Sequence, residues 1–426
     1  MVRPLPPRCA VATTLRHMWL SPVLLLGVAL PSGAAEPTPE SDLVQRTLAA
    51  PVAAADLDAV EAQTRADRTA VSLLDSPTLD ARREEAKGDW GATTTAIGAS
   101  VTVDLGLSPL AHTRAGRLRG TAGEHRRTAV ALASVCATRA TAADLQAANL
   151  SASVSQAAQE RLDTLLDTMV ALAKAGEASG YDRDRTALAV TAHRTDLGDR
   201  LGAAEALRAR LSALAGGEPV VDVALSEVPE MPSLEHAIEQ LQSHPVLGSL
   251  RLEADATRAD RDAARLDQVP DLTLSGGSRW DAGPTGGPAT PGFEVAGSIQ
   301  IPWMDGGRAQ ARQQTADHAI AKARLERRRA ELEAAVRGAH RRVELLAVSS
   351  ESASDPSGVW TAAKERYAAG ETSLDDLLQV ADAVEVARLA EVKRERLLRL
   401  AHLDLSCATG QFPEPAIQSA LEEAAR

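Results

Sequence analysis

The chain has 426 residues, enough for one large domain or two ordinary ones, with 46 Lys+Arg against 58 Asp+Glu. Trp, Tyr and Phe number only 5, 2 and 2 while the hydrophobic fraction is 44%, much of it alanine, so thin helical layers are expected instead of a core built round aromatic side chains. The net charge of −12 argues against a general nucleic-acid binder, and three cysteines are too few for a disulfide scaffold.

Arg3, Arg8, Arg16 and His17 precede an apolar run from Met18 to Leu30, and the small residues Gly33, Ala34 and Ala35 follow. Residues 1–35 therefore read as a secretory signal peptide, since a run of about 13 residues is short of the roughly 20 that span a bilayer. Cys9 lies before the apolar run, not at its end, so no lipidation signal is expected. The segment contains three arginines and no acids, so its removal leaves a still more acidic exported chain. Beyond Glu36 there is no apolar stretch long enough for a membrane helix, and any crossing must use strands.

From there the chain reads as two similar halves. Ala175-Gly176-Glu177-Ala178-Ser179 returns as Ala369-Gly370-Glu371-Thr372-Ser373, an offset of 194, with Asp182 answering Asp376. Pro51 and Pro245, Leu211 and Leu405, and Gly216 and Gly410 keep the same spacing. The expected organisation is a first repeat over 36–216, a connector over 217–234, a second repeat over 235–410 and a tail over 411–426. Each repeat reads helix, two strands, long helix, return helix.

In the first repeat the strands are predicted over about 78–90 and 94–105, in the second over about 271–281 and 292–303. Ile97, Ala99, Val101, Val103 and Leu105 alternate with Gly98, Ser100, Thr102 and Asp104, as Phe293, Val295, Gly297, Ile299 and Ile301 do with Glu294, Ala296, Ser298 and Gln300. Period two gives each strand one apolar and one polar face. Trp90, Trp280 and Trp303 fall at strand ends, where an interfacial aromatic girdle sits. Four strands of about 10 residues match the span of a membrane barrel strand but cannot close alone, so several chains must share one barrel.

After Pro109 no proline occurs until beyond Ala175, and Leu162, Leu165, Leu166 and Met169 mark one face of a helix that can run roughly 100 Å. The return helix repeats Leu197, Leu201, Ala204, Leu207, Leu211 and Leu214 near the coiled-coil period. In the second long helix Asp355-Pro356-Ser357-Gly358 predicts a local irregularity.

These features together resemble the outer membrane efflux protein (TolC) family, most specifically at Phe293 to Arg308 and Tyr367 to Leu378; Ser76-Pro77-Thr78-Leu79 before a compact first hairpin is similar to its heavy-metal efflux (CzcC-like) branch. The resemblance implies a mainly α fold with a membrane β part: long antiparallel coiled-coil hairpins forming a tunnel, and four strands per chain in a trimeric 12-stranded barrel. It implies an outer-membrane exit duct, with the helices in the periplasm, serving a periplasmic adaptor and an inner-membrane transporter in tripartite efflux or type I secretion. Gly176, Ser179, Gly370 and Ser373 match the adaptor-facing tip turns, and Asp182 and Asp376 match acids that narrow the mouth. Read without the resemblance, the serines are helix caps and the two acids are first-turn residues favoured by the helix dipole. The alternative for the whole chain is a periplasmic coiled-coil adaptor or scaffold that never enters the membrane.

No catalytic constellation, metal-ligand spacing or cofactor loop is present in the sequence: the nine histidines include no His-Glu-x-x-His pair, and no Cys-x-x-Cys occurs. Cys136 and Cys407 read as single small packing groups. The basic run Arg324 to Ala330 reads as a solvated helix face. The expected partners are therefore further copies of this chain, the two pump components and lipid, with no enzyme activity, cofactor, metal or nucleic acid.

Overall fold

The computed structural model describes residues 37–69, 77–85, 93–282, 288–300, 308–348, 356–412 and 414–425. The predicted signal peptide, Ser76, Trp90, Trp303 and Asp355 lie outside these residues. In chain order, β1 (Thr38–Pro39), α1 (Glu40–Ala49) and α2 (Pro51–Thr69) lead into a hairpin of β2 (Thr78–Glu85) and β3 (Thr93–Asp104). Helices α3 (Ser108–Ala175) and α4 (Gly180–Leu214) follow, then β4 (Val223–Ala224), α5 (Leu234–Gln240), a 3-10 turn at Leu241–Ser243 and α6 (Pro245–Leu266). A second hairpin, β5 (Asp271–Ala282) and β6 (Thr290–Gln300), leads to α7 (Arg308–Val348), α8 (Pro356–Ala368), α9 (Leu374–Thr409) and α10 (Pro415–Ala425).

The 68 residues of α3 carry Pro109 in the first turn, where its missing N–H costs nothing, and the helix then runs without another proline to Ala175. Its buried side chains are mostly Ala, Gly and Thr with sparse Leu, which allows neighbouring helices close approach. Apolar burial is accordingly a string of small clusters spaced along the helices. One joins Val44, Leu57, Leu132, Val135, Phe412, Ile417 and Leu421. Another joins Leu43, Leu145, Leu211 and Val223, and a third packs Ala237 with Val336 and Leu405. Pro356 is the first residue of α8, where its fixed φ is tolerated.

Cys136 of α3 and Cys407 of α9 are joined by a disulfide, with Cα atoms 6.2 Å apart across a sequence separation of 271. This corrects the expectation of two separate packing residues. The bridge lies against the Val44 to Leu421 cluster, at the end of α9 remote from Leu374. Close by, buried His244 caps α6 by accepting the Val246 N–H on Nδ1 at 3.2 Å, and its Nε2 faces the Cys407 carbonyl at 3.3 Å. Burial lowers its pKa, so the neutral ring with a proton on Nε2 suits both contacts. Arg139, stacked on Phe412 at 5.2 Å, ties α1 to the C-terminal segment through Glu40 at 2.5 Å and Glu414 at 2.6 Å.

Candidate functional site: the sheet and the hairpin tips

Four strands form one antiparallel sheet in the order β2-β3-β5-β6, leaving β2 and β6 as its edges. The register sorts the side chains by face. Leu79 pairs with Ala99, Val101 with Leu274, Val103 with Leu272, Leu272 with Ile299 and Gly276 with Val295, so one apolar face crosses all four strands. The opposite face carries Asp80, Arg82, Ser100, Thr102, Thr273, Arg279 and Glu294, with the Thr102 and Thr273 hydroxyls 3.1 Å apart and Arg279 Nε 2.8 Å from Asp281. Phe293, Val295 and Leu79 are 87%, 78% and 83% exposed, so the apolar face has no partner among the described residues. Gly277 lies so close to β3 that a Cβ there would sit 2.5 Å from the Ile97 carbonyl oxygen. Trp280 belongs to the apolar face, opposite Thr95 and Pro291. Among the described residues no helix is long and apolar enough to cross a membrane.

At the far ends of the helices, α3 turns into α4 and α8 into α9 by the same geometry. Gly176 and Gly370 adopt φ of 78° and 76°, a left-handed conformation that a Cβ disfavours. The following N–H closes each turn: Glu177 donates to the Leu172 carbonyl and Glu371 to the Arg366 carbonyl, both at 2.9 Å. Ser179 and Ser373 then cap the next helix, their hydroxyl oxygens accepting the N–H of Asp182 at 3.1 Å and of Asp376 at 3.2 Å. Asp376 completes a capping box by accepting the Ser373 N–H at 3.1 Å and hydroxyl at 2.7 Å. The Ser373 hydroxyl and N–H hold the Asp376 carboxyl below its usual range.

The two tips are packed together. Leu162, Leu165, Met169, Val190, Leu374, Leu377 and Leu378 form one buried cluster, with Trp360 and Tyr367 against it. Tyr367 donates its hydroxyl to Met169 Sδ at 3.6 Å, and burial together with the Asp182 charge raises its pKa. Arg185 of α4 forms an ion pair with Asp375 of α9. Asp182 and Asp376 thus each serve the cap of their own helix, while the neighbouring Asp375 makes the cross-hairpin link. Sequence reading passed over Arg185 and Asp375, which lie 190 positions apart and have no local pattern that connects them.

Residues 238–411 match the family model described as outer membrane efflux protein. This part of the chain is similar to the outer membrane efflux protein family. The solved structures that the whole chain resembles are outer-membrane channels. The chain is similar to the outer-membrane channel OprN, with a TM-score of 0.71 at 20% identity, covering 88% of this chain and 90% of that one. The CmeC outer membrane channel of Campylobacter jejuni gives 0.70 at 16% identity, with coverages of 91% and 88%. The open state of the Neisseria gonorrhoeae MtrE outer membrane channel gives 0.68 at 18% identity, with coverages of 87% and 89%. At these identities the likeness establishes the fold. No curated protein matches the chain in sequence. The heavy-metal branch remains a sequence resemblance resting on residues 76–79, the first of which is outside the described residues.

Proposed function

We propose that this protein is the passive outer-membrane exit duct of a tripartite efflux or type I secretion system. The observation that carries the reading is the two-faced sheet: an apolar face across four strands, a polar face opposite, and two unpaired edges. A sheet of this kind in lipid must close, because unpaired backbone groups at its edges cost several kcal/mol each. Three copies pairing β6 of one with β2 of the next make a 12-stranded barrel, apolar side out and polar side lining the passage. Trp280 then belongs to the interfacial girdle, with Trp90 and Trp303 as its further members.

Helices of this length carry the passage away from the membrane, in the periplasm. The two repeats give the tunnel its pairs of hairpins, and the tips at Gly176, Ser179, Gly370 and Ser373 are the surface offered to a periplasmic adaptor that connects to an inner-membrane transporter. Threefold symmetry makes Asp182 and Asp376 rings of like charge at the mouth, which attract cations.

Two measurements test the reading. The protein should remain in the membrane fraction through carbonate and urea washes and leave it only with detergent. Release by those washes would favour the periplasmic scaffold. Reconstituted in a planar bilayer, it should give discrete conductance steps blocked by divalent cations, and the Asp182→Ala/Asp376→Ala double variant should be blocked less. Block identical to that of the unaltered protein would remove the gating role of the two acids and leave them as capping residues.

A further inference from the structure

Besides the sheet, two helix faces are left uncovered among the described residues. In α2, Leu57 and Thr64 are buried against the rest of the molecule, while Val52, Ala55, Ala59 and Ala62 are exposed on the opposite side, Val52 by 76%. Their steps of three, four and three are the spacing of a coiled-coil seam. In α7, Leu332 is buried and Leu325 half-buried, and the side facing away carries Ala316, Ile320, Ala323, Arg327, Ala330 and Ala334, all exposed, at alternating steps of four and three. Both faces are narrow and apolar, and the second has an arginine at its centre.

The two seams do not meet within one chain, because α2 packs on α3, α3 on α6 and α6 on α7. Each of these pairs is antiparallel. Arg68 lies against Gly120 where Thr64 lies against Gly123, Arg119 meets Asp260 where Arg126 meets Glu253, and His318 meets Thr257 where Leu325 shares a cluster with Leu247. Three reversals leave α2 and α7 running in opposite directions. Heights carry across the layer through Thr64 on Gly123, His125 on Gly248 and Leu247 with Leu325. Ala62 is then level with Ala323, Ala59 with Arg327, Ala55 with Ala330 and Val52 with Ala334, each within about one helical turn. A closed ring of copies is generated by rotation alone, with no shift along its axis, so residues at equal height on facing edges come together.

The arginine decides the register. Alanine seams let helices approach closely, and a charge placed in one is costly unless an opposite charge meets it. Asp56 and Asp58 flank Ala59 on α2 and are exposed. Among the described residues neither they nor Arg327 has an ion pair, whereas the adjacent Arg328 is paired with Glu331 at 3.0 Å. We propose that α2 of one copy packs antiparallel on α7 of the next, with Arg327 held by Asp56 and Asp58 of its neighbour as the key that fixes the register. The contact prolongs the pairing of β6 with β2, since α2 leads into β2 and α7 follows β6. It rests on the duct reading, whose ring of copies it uses, and adds the side chains that join them outside the sheet.

The test is cysteine cross-linking of the full-length, detergent-extracted protein, read on a non-reducing gel. The Ala62→Cys/Ala323→Cys variant should form covalent dimers and trimers on mild oxidation. Ala62→Cys/Ala335→Cys, with the second cysteine about 18 Å further along α7, should not. Arg327→Asp, added to the cross-linking variant, should cut the yield about tenfold, as expected when a charge pair becomes a like-charge contact. Adding Asp56→Arg/Asp58→Arg to that variant should restore the yield, which a merely misfolded chain would not do. No ladder from Ala62→Cys/Ala323→Cys, an equal ladder from the Ala335→Cys control, or no recovery on exchanging the charges would overturn the proposal. Conductance of the same samples separates the two readings: channel steps without the ladder would remove the seam and leave the duct, and the loss of both would remove both.

Discussion

Removing the covalent link between α3 and α9 is the most direct test of how the helical part is held together. The bridge from Cys136 to Cys407 closes a segment of 271 residues. In the chain-entropy description such a loop restricts the unfolded state by an amount equivalent to about 5.6 kcal/mol, and measured bridges typically deliver about 2–4 kcal/mol. Spread over the unfolding entropy of a chain this long, roughly 2 cal/mol/K per residue, that becomes a fall in melting temperature of about 2–5 °C. The assay is a thermal scan of the detergent-extracted protein and of a Cys136→Ala/Cys407→Ala variant, each with and without reductant. The comparison matters because the bridge packs against the cluster that contains Val135 and Ile417, and alanine also loses a little buried apolar surface. Reductant should lower the midpoint of the unaltered protein and leave the variant unmoved. Alkylation of the exported protein without prior reduction should find no free thiol. Two reactive thiols, or a variant as sensitive to reductant as its parent, would refute the argument.

Two further outcomes concern the tips. Ser373→Ala should remove the capping box and weaken the start of α9 by about 1 kcal/mol, read as faster amide exchange at Asp375 to Leu377. Because Asp376 is held below its usual range, its contribution is present above the unfolded carboxylate pKa and is lost as pH falls through the lower folded value, so acidification below about pH 4 should mimic the mutation. Gly370→Val forces a β-branched residue to a φ of 76° and should abolish efflux while the protein still assembles in the membrane; normal efflux with an unaltered tip would remove the docking role.

Much of the architecture is written in short-range patterns. Val295, Ile299 and Val101 announce strands because a two-residue period is complete within a few positions, and the register then places all three on one face. Leu162, Leu165 and Met169 likewise mark the helix face that is buried at the tip. Contacts between distant helices have no such signature. Nothing local links Arg185 with Asp375, or His193 with Asp382. The disulfide had an indirect one: once Cys9 is assigned to the leader, an even pair of cysteines remains in an exported chain, where bridges persist. The stretch after Gly410, read as a tail, forms α10, and its Ile417 and Leu421 at a spacing of four were a helical signal left unused. The pairing of β1 with β4 spans two residues on each side, too few for any period to register.

The position of the disulfide also sets a mechanical ratio. From Cys136 to the end of α3, and from Cys407 back to the start of α9, roughly 50–60 Å of helix extends beyond the bridge at 1.5 Å per residue. A swing of about three degrees between the two arms at that fulcrum grows to about 3 Å at their ends, the length of one hydrogen bond. Small angular changes near the bridge are therefore amplified into the making or breaking of contacts such as Arg185 with Asp375 at the other end.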